Sequence, residues 1–233
     1  MINLKDDYDF VGGLKLNETR EPYKVFCGSR LDQMRRLIAD DRVPMNTAQL
    51  MQRRLDVGNS GDDRLKSTYM DSLIGTGDII AYHPDGRVKI VLDSQALRNR
   101  TDLKTYERLS SFGEDEYNAL EGEEFKEGMF QHAYRMMSKQ DVKAHPVWRI
   151  LSRDQKLLDD YTNYIFSEAK EKFGYDTAMG VHLALNSKVR GSWPEMNSWS
   201  LSEIRDASYI TGYESPTLNE GFFIGIASEA LNS

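Results

Sequence analysis

Four histidines, His83, His132, His145 and His182, are the side chains best suited to proton transfer near neutral pH. They are scattered along the chain, with no H-E-x-x-H helix and no other clustered ligand pair, so no metal site is expected. Two could act as a general base if the fold supplied a cleft and an orienting group. They are His83 in "AYHPDG" and His145 in "KAHPVW". Without such partners, His83 beside its proline turn is expected to be solvated, and His145 to mark an element boundary.

The single cysteine, Cys27 in "FCGS", precedes a helix start, where a thiol pKa can fall. The stretch is not a G-x-S-x-G elbow and brings no partner histidine, so Cys27 reads as a small buried residue. One cysteine also rules out an internal disulfide and a thiolate zinc cluster.

Arginines crowd the first half. Arg30, Arg35 and Arg53 could share an anion, the chemistry a phosphorylated or nucleotide-like substrate would need. Residues 29–57 also resemble a helix-turn-helix, with Gln49, Gln52, Arg53 and Arg54 reaching a groove. The connection "DDRVPMN" is long for that motif, and Asp40, Asp41 and Asp56 would repel phosphate. Nucleic acid is therefore disfavoured.

A different chemistry is written in "RGSWPEMNSWS". Trp193 and Trp199, with Met196 between them, could form an aromatic platform for a ligand or partner; the alternative is that they seal a core edge. The strongly acidic run "GEDEYNALEGEEFKE" at 113–127 fits no calcium-loop register. It reads as helix starts and exposed faces, or as a protein-binding surface.

"GTGDIIAYHPDGRVKIVLDS" at 75–94 holds glycines that could cradle phosphate. Phosphate loops follow a strand and open a helix, and here the order is reversed. A β-hairpin over 78–92 accounts for every residue, with Pro84, Asp85 and Gly86 in its turn. Tyr82 then faces Val88, and Ile80 faces Ile90. One face, with Ile80, Tyr82, Val88, Ile90 and Leu92, should be core. The other carries Ile79, Ala81, His83, Arg87, Lys89 and Val91.

The surrounding elements follow from period and caps. Strands are expected at 22–28, 179–185 and 222–227. Helices are expected from Ser29, from Asn46 or Thr47 with Gln49 closing a capping box, over 62–74, over 122–138, and over about 153–173 from a Ser152 cap. A shorter helix is expected over 200–208. Helices dominate this reading, so the expected class is α+β, mainly helical, with a small antiparallel sheet that includes the 78–92 hairpin.

The chain has 233 residues, 39% hydrophobic and 29% charged, which is ordinary globular composition. Residues 1–233 are read as one domain with a soft division near 110. The first 108 residues hold 18 Lys+Arg against 17 Asp+Glu, and the rest hold 12 against 20. An acidic second half argues against wholesale nucleic-acid binding. The acidic first residues lack a signal-peptide core and no run is long enough to span a membrane, so a cytoplasmic location is expected.

Every catalytic template fails on order, spacing or partners. The expected function is a binding or interaction protein without a cofactor, holding a protein partner or a small anionic ligand. The competing expectations are a hydrolase or transferase on a phosphorylated substrate and a nucleic-acid regulator using residues 29–57.

Overall fold

The computed structural model describes residues 10–11, 14–15, 22–28, 30–99, 112–126, 136–183, 193–204, 208–212 and 222–231; at 10, 11, 14, 15, 30, 31 and 231 it describes backbone alone. Strands Phe10–Val11 (β1) and Leu14–Lys15 (β2) pair with each other. The other strands form one sheet: Tyr23–Phe26 (β3), Arg42–Pro44 (β4), Ile74–Tyr82 (β5), Arg87–Val91 (β6), Glu123–Lys126 (β7), Met179–His182 (β8), Glu195–Leu201 (β9), Ser208–Thr211 (β10) and Phe222–Ala227 (β11). The order is β3-β11-β5-β9-β10-β8, with β4 beside β11 and β6-β7 beside β5.

That sheet overturns the expectation of a mainly helical chain with a small antiparallel sheet. It has nine strands and is mixed, with β11 parallel to β5 and β10 parallel to β8. Several strands hide behind weak local signals. β4 lies in "DDRVP", where a breaker is expected, and its pairing with β11 supplies the missing stabilisation. β7 replaces the start of the helix expected over 122–138, whose residues 127–135 lie outside the described ones. β9 and β10 occupy the ends of the expected 200–208 helix.

β5 is the central strand, and all nine of its residues are buried. Its first residues lie between β11 and β9, and its last between β6 and β9. The change of neighbours falls at a register shift between Gly75 and Ile79. There Gly77 donates to the Met45 carbonyl at 2.8 Å, and a Cβ on it would lie 3.1 Å from Pro44. That close approach explains the glycine.

Helices cover both faces. Thr47–Gly58 (α2), Asp63–Met70 (α3), Lys139–Ala144 (α6), Pro146–Ser152 (α7) and Gln155–Phe173 (α8) supply residues to the larger core, with Ile80, Tyr82, Trp199 and Ile224. Arg30–Ala39 (α1) covers the opposite face through Met34 and Leu37 on Phe26 and Phe223. Gln95–Asn99 (α4) and Glu114–Ala119 (α5) extend that layer over Ile79, Ala81 and Val91, with Leu97 packed against both groups. Burial on two faces is why β5 reads as an apolar run rather than as an alternation.

Caps set the helix bounds. Asn46 and Gln49 form the expected capping box of α2. For α8 the cap is Asp154, not Ser152, because Ser152 closes α7 and Arg153 turns the chain in the left-handed region at φ +61°. Among the described residues, no helix is long and apolar enough to cross a membrane.

Candidate recognition site

The 78–92 hairpin forms with the expected register, Tyr82 opposite Val88 and Ile80 opposite Ile90. His83 N donates to Arg87 O at 2.8 Å, and Gly86 takes φ +90° in the turn. The hairpin's second face is covered rather than open. Phe112, Tyr117 and Met196 pack on Ile79, Ala81 and Val91.

His83 is therefore buried, with 9% of its surface exposed, and the expectation of a solvated ring is corrected. Its Nδ1 lies 2.6 Å from Asp85 Oδ1, its Nε2 meets Glu114 Oε2, and its ring packs 4.9 Å from that of Tyr117. Arg87 pairs with Asp85 at 2.8 Å and Glu114 at 3.1 Å. Lys89 Nζ donates to the carbonyls of Tyr117 at 3.0 Å and Leu120 at 3.1 Å, closing the C-terminal end of α5 with the charge its dipole favours.

Burial raises the Asp85 carboxyl, but the Arg87 backbone N–H, its guanidinium and His83 outweigh that and hold it at about 2. Contact with His83, and then with Arg87, holds Glu114 below the usual carboxylate range. Burial, reinforced by Glu124, pushes the Tyr117 hydroxyl well up. Carboxyls held that low are weak bases and stay ionised near neutral pH, so the cluster offers no general acid from Asp85 or Glu114.

The acidic run and the tryptophan segment meet at this end of the sheet. Phe112 N, just before α5, donates to Pro194 O at 2.9 Å. Tyr82 pairs with Glu195, so Trp193 stands beyond the last strand pair, level with the Pro84 turn. Trp193 is 62% exposed, the most exposed large hydrophobic among the described residues.

The proposed platform of Trp193, Met196 and Trp199 does not assemble. Alternation along β9 sends Met196 and Trp199 to opposite faces. Met196 joins the α5 side and Trp199 is fully buried in the larger core. Trp193 alone faces solvent.

The arginines are separated as well. Arg35 is exposed on α1. Arg53 lies on the opposite sheet face, where its guanidinium sits 4.3 Å over the Tyr23 ring and 5.4 Å over that of Tyr69. The Arg30 side chain is outside the described residues. Because β4 intervenes and α1 and α2 sit on opposite faces, residues 29–57 are not a helix-turn-helix.

His145 joins α6 to α7 and lines a cavity of about 560 Å³ with Met136, Met137, Ser138, Asp141 and Thr177. Ser138 and Asp141 bond each other at 2.7 Å as part of the α6 cap. His182 is half-buried, and burial lowers its pKa. Cys27 is buried, and its carbonyl accepts from Arg36 at 3.1 Å. His132 lies outside the described residues. Among the described residues, no group of three or more His, Cys, Asp or Glu is placed to hold a metal ion.

Two buried charge centres escape sequence reasoning. Asp78 accepts from Thr47 N at 2.8 Å, Asp93 N at 2.9 Å and Arg153 Nη2 at 2.8 Å. Arg54, fully buried, donates to Tyr161 Oη at 3.0 Å, Ser202 O at 2.9 Å and Ser72 O at 3.2 Å. The only local hint of the first is the Gly-Thr-Gly-Asp run that marks the irregularity in β5.

No protein-family model matches the chain, and no curated protein matches it. A solved structure described as "Accommodation of massive sequence variation in Nanoarchaeota by the C-type lectin fold" does match. The match covers 90% of this chain and 100% of that one, with a TM-score of 0.63 and 11% identity. The likeness is one of fold. The C-type lectin fold replaces the expected mainly helical architecture.

Proposed function

We propose that this chain is a binding protein whose recognition surface is the hairpin end of the sheet, centred on Trp193, and that what it binds is a protein. The observation that carries the reading is the Phe112–Pro194 hydrogen bond. It brings together the two segments whose composition suits recognition, the acidic α5 and the tryptophan segment. A large aromatic on a fixed strand end presents contact area at low entropic cost. Asp85, Arg87, Glu114 and Asn118 surround the hairpin tip and give it the charged, hydrogen-bonding rim common at interfaces. The similar C-type lectin-fold structure accommodates massive sequence variation, and such a scaffold leaves the choice of partner to surface side chains. With one cysteine and no disulfide required, the chain suits a reducing, cytoplasmic setting.

Trp148 and Trp199 are fully buried, so Trp193 dominates the solvent-exposed fraction of tryptophan emission. Titration with a purified, stoichiometrically retained partner shifts this emission to the blue, and Trp193→Phe removes the shift. A partner that binds while the Trp193 emission stays unchanged contradicts the reading.

A further inference from the structure

We propose that the open edge of β7 pairs with β7 of a second copy of this chain, joining two sheets across a two-fold axis at Phe125. The surface does not include Trp193, so the inference stands apart from the recognition reading above.

β7 lies beside β6, its one strand partner among the described residues. Glu123, Glu124 and Lys126 are exposed on it. Which backbone groups face outward follows from the hairpin. His83 N donates to Arg87 O, so Arg87, Lys89 and Val91 turn their backbone groups toward β5. Val88 and Ile90 turn theirs toward β7, where they lie opposite Phe125 and Glu123. Glu124 and Lys126 therefore turn N–H and C=O to the open side. Among the described residues, neither finds a backbone partner there.

Such an edge accepts a further strand, and a short charged one usually repels copies of itself. The charges on β7 do the reverse. Hydrogen-bonded pairing of two such edges opposes outward-facing residues with outward-facing residues, so an antiparallel two-fold axis must fall on a residue rather than between two. An axis on Glu123, Glu124 or Lys126 sets like charges face to face. An axis on Phe125 sets Glu124 opposite the second copy's Lys126, and Lys126 opposite its Glu124.

Directly opposed side chains stand about 4.5–5.5 Å apart at Cβ, within ion-pair reach. Lys126 suits that role. It lies opposite Arg87 in its own sheet, a like charge, and has no ion pair among the described residues. Glu124 is 3.9 Å from Arg87 and from Lys89, both of which have closer acceptors, and its side chain is 41% exposed. Phe125 is partly buried at the margin of the larger core, and its counterpart extends that apolar face across the axis.

A strand this short makes a small interface, so dimerisation is weak, with a Kd on the order of 100 µM. Sedimentation equilibrium of the full chain, from about tenfold below that Kd to about tenfold above it, shows monomer and dimer exchanging. Lys126→Glu and Glu124→Lys each raise Kd at least roughly tenfold, because each sets like charges at both opposed positions. Both positions are exposed, so each variant keeps the fold. An equimolar mixture of the two variants dimerises again, within about threefold of the wild-type Kd, since one variant supplies acids to the paired positions and the other supplies bases. A wild-type chain that stays monomeric over this range overturns the proposal and leaves the edge to a strand of another protein. A dimer whose affinity neither variant changes, or a mixture of the folded variants that does not associate, overturns the pairing at β7.

Discussion

Asp78→Ala lowers the stability of the folded chain by about 3–5 kcal/mol, the usual cost of breaking a buried ion pair from one side. For a domain of this size that is a fall in Tm of roughly 10 °C. Asp78 is fully buried, and its carboxylate holds three separate parts of the chain. It accepts from Thr47 N at the start of α2, from Asp93 N after β6, and from Arg153 at the α7–α8 corner. Two of those partners are themselves in an unfavourable backbone region, Asp93 at φ +47° and Arg153 at φ +61°. Non-glycine residues persist there only when their surroundings hold them, at a cost of roughly 1–3 kcal/mol each. Removing Asp78 withdraws what holds both. Asp93→Ala loses less, because its carboxylate side chain is half-exposed and Arg153 keeps Asp78. Equilibrium denaturation of the two variants decides the point. A loss from Asp78→Ala no greater than that from Asp93→Ala contradicts this account.

Arg54→Met costs about 2–4 kcal/mol, despite relieving the burial of a charge. Arg54 donates to neutral acceptors, two carbonyls and the Tyr161 hydroxyl. These come from the turn after α3, the end of β9 and α8, so one guanidinium joins three elements around α2. Methionine fills similar volume but leaves the Ser72 and Ser202 carbonyls without this donor, at roughly 1–3 kcal/mol each. Arg54→Lys also loses stability, since a single ammonium cannot reproduce the fork. A neutral or stabilising Arg54→Met would mean that desolvation of the charge outweighs its hydrogen bonds, and it would remove Arg54 as an organising residue.

The hairpin over 78–92 was legible because its turn chemistry and its alternation agree, down to the Tyr82–Val88 register. The capping box at Asn46 and Gln49 was legible for the same local reason. The sheet was not, because β4, β7 and β10 are three or four residues long and gain their order from neighbours distant in sequence. β10 pairs with β8, which lies across a long connection, and no period within "SYIT" announces that. At the site, composition pointed to the tryptophan and acidic segments separately. Trp199 went to the core because strand alternation places it opposite to Met196. His83 went inside because α5 covers a hairpin face that carries both apolar and charged residues. Arg53 and Arg54 are adjacent in sequence yet differ in role, since a 100° step on a helix turns one over Tyr23 and the other into the core.

The measurement closest to the central claim is the affinity of a purified, retained partner for wild-type protein and for Trp193→Ala, with Tyr175→Ala as a second exposed aromatic removed. Trp193 as the anchor predicts a loss of at least ~2 kcal/mol, about a thirtyfold rise in Kd, for Trp193→Ala. Tyr175→Ala binds as the wild type does. Equal affinity of wild type and Trp193→Ala would contradict the placement of the recognition surface at the hairpin end of the sheet.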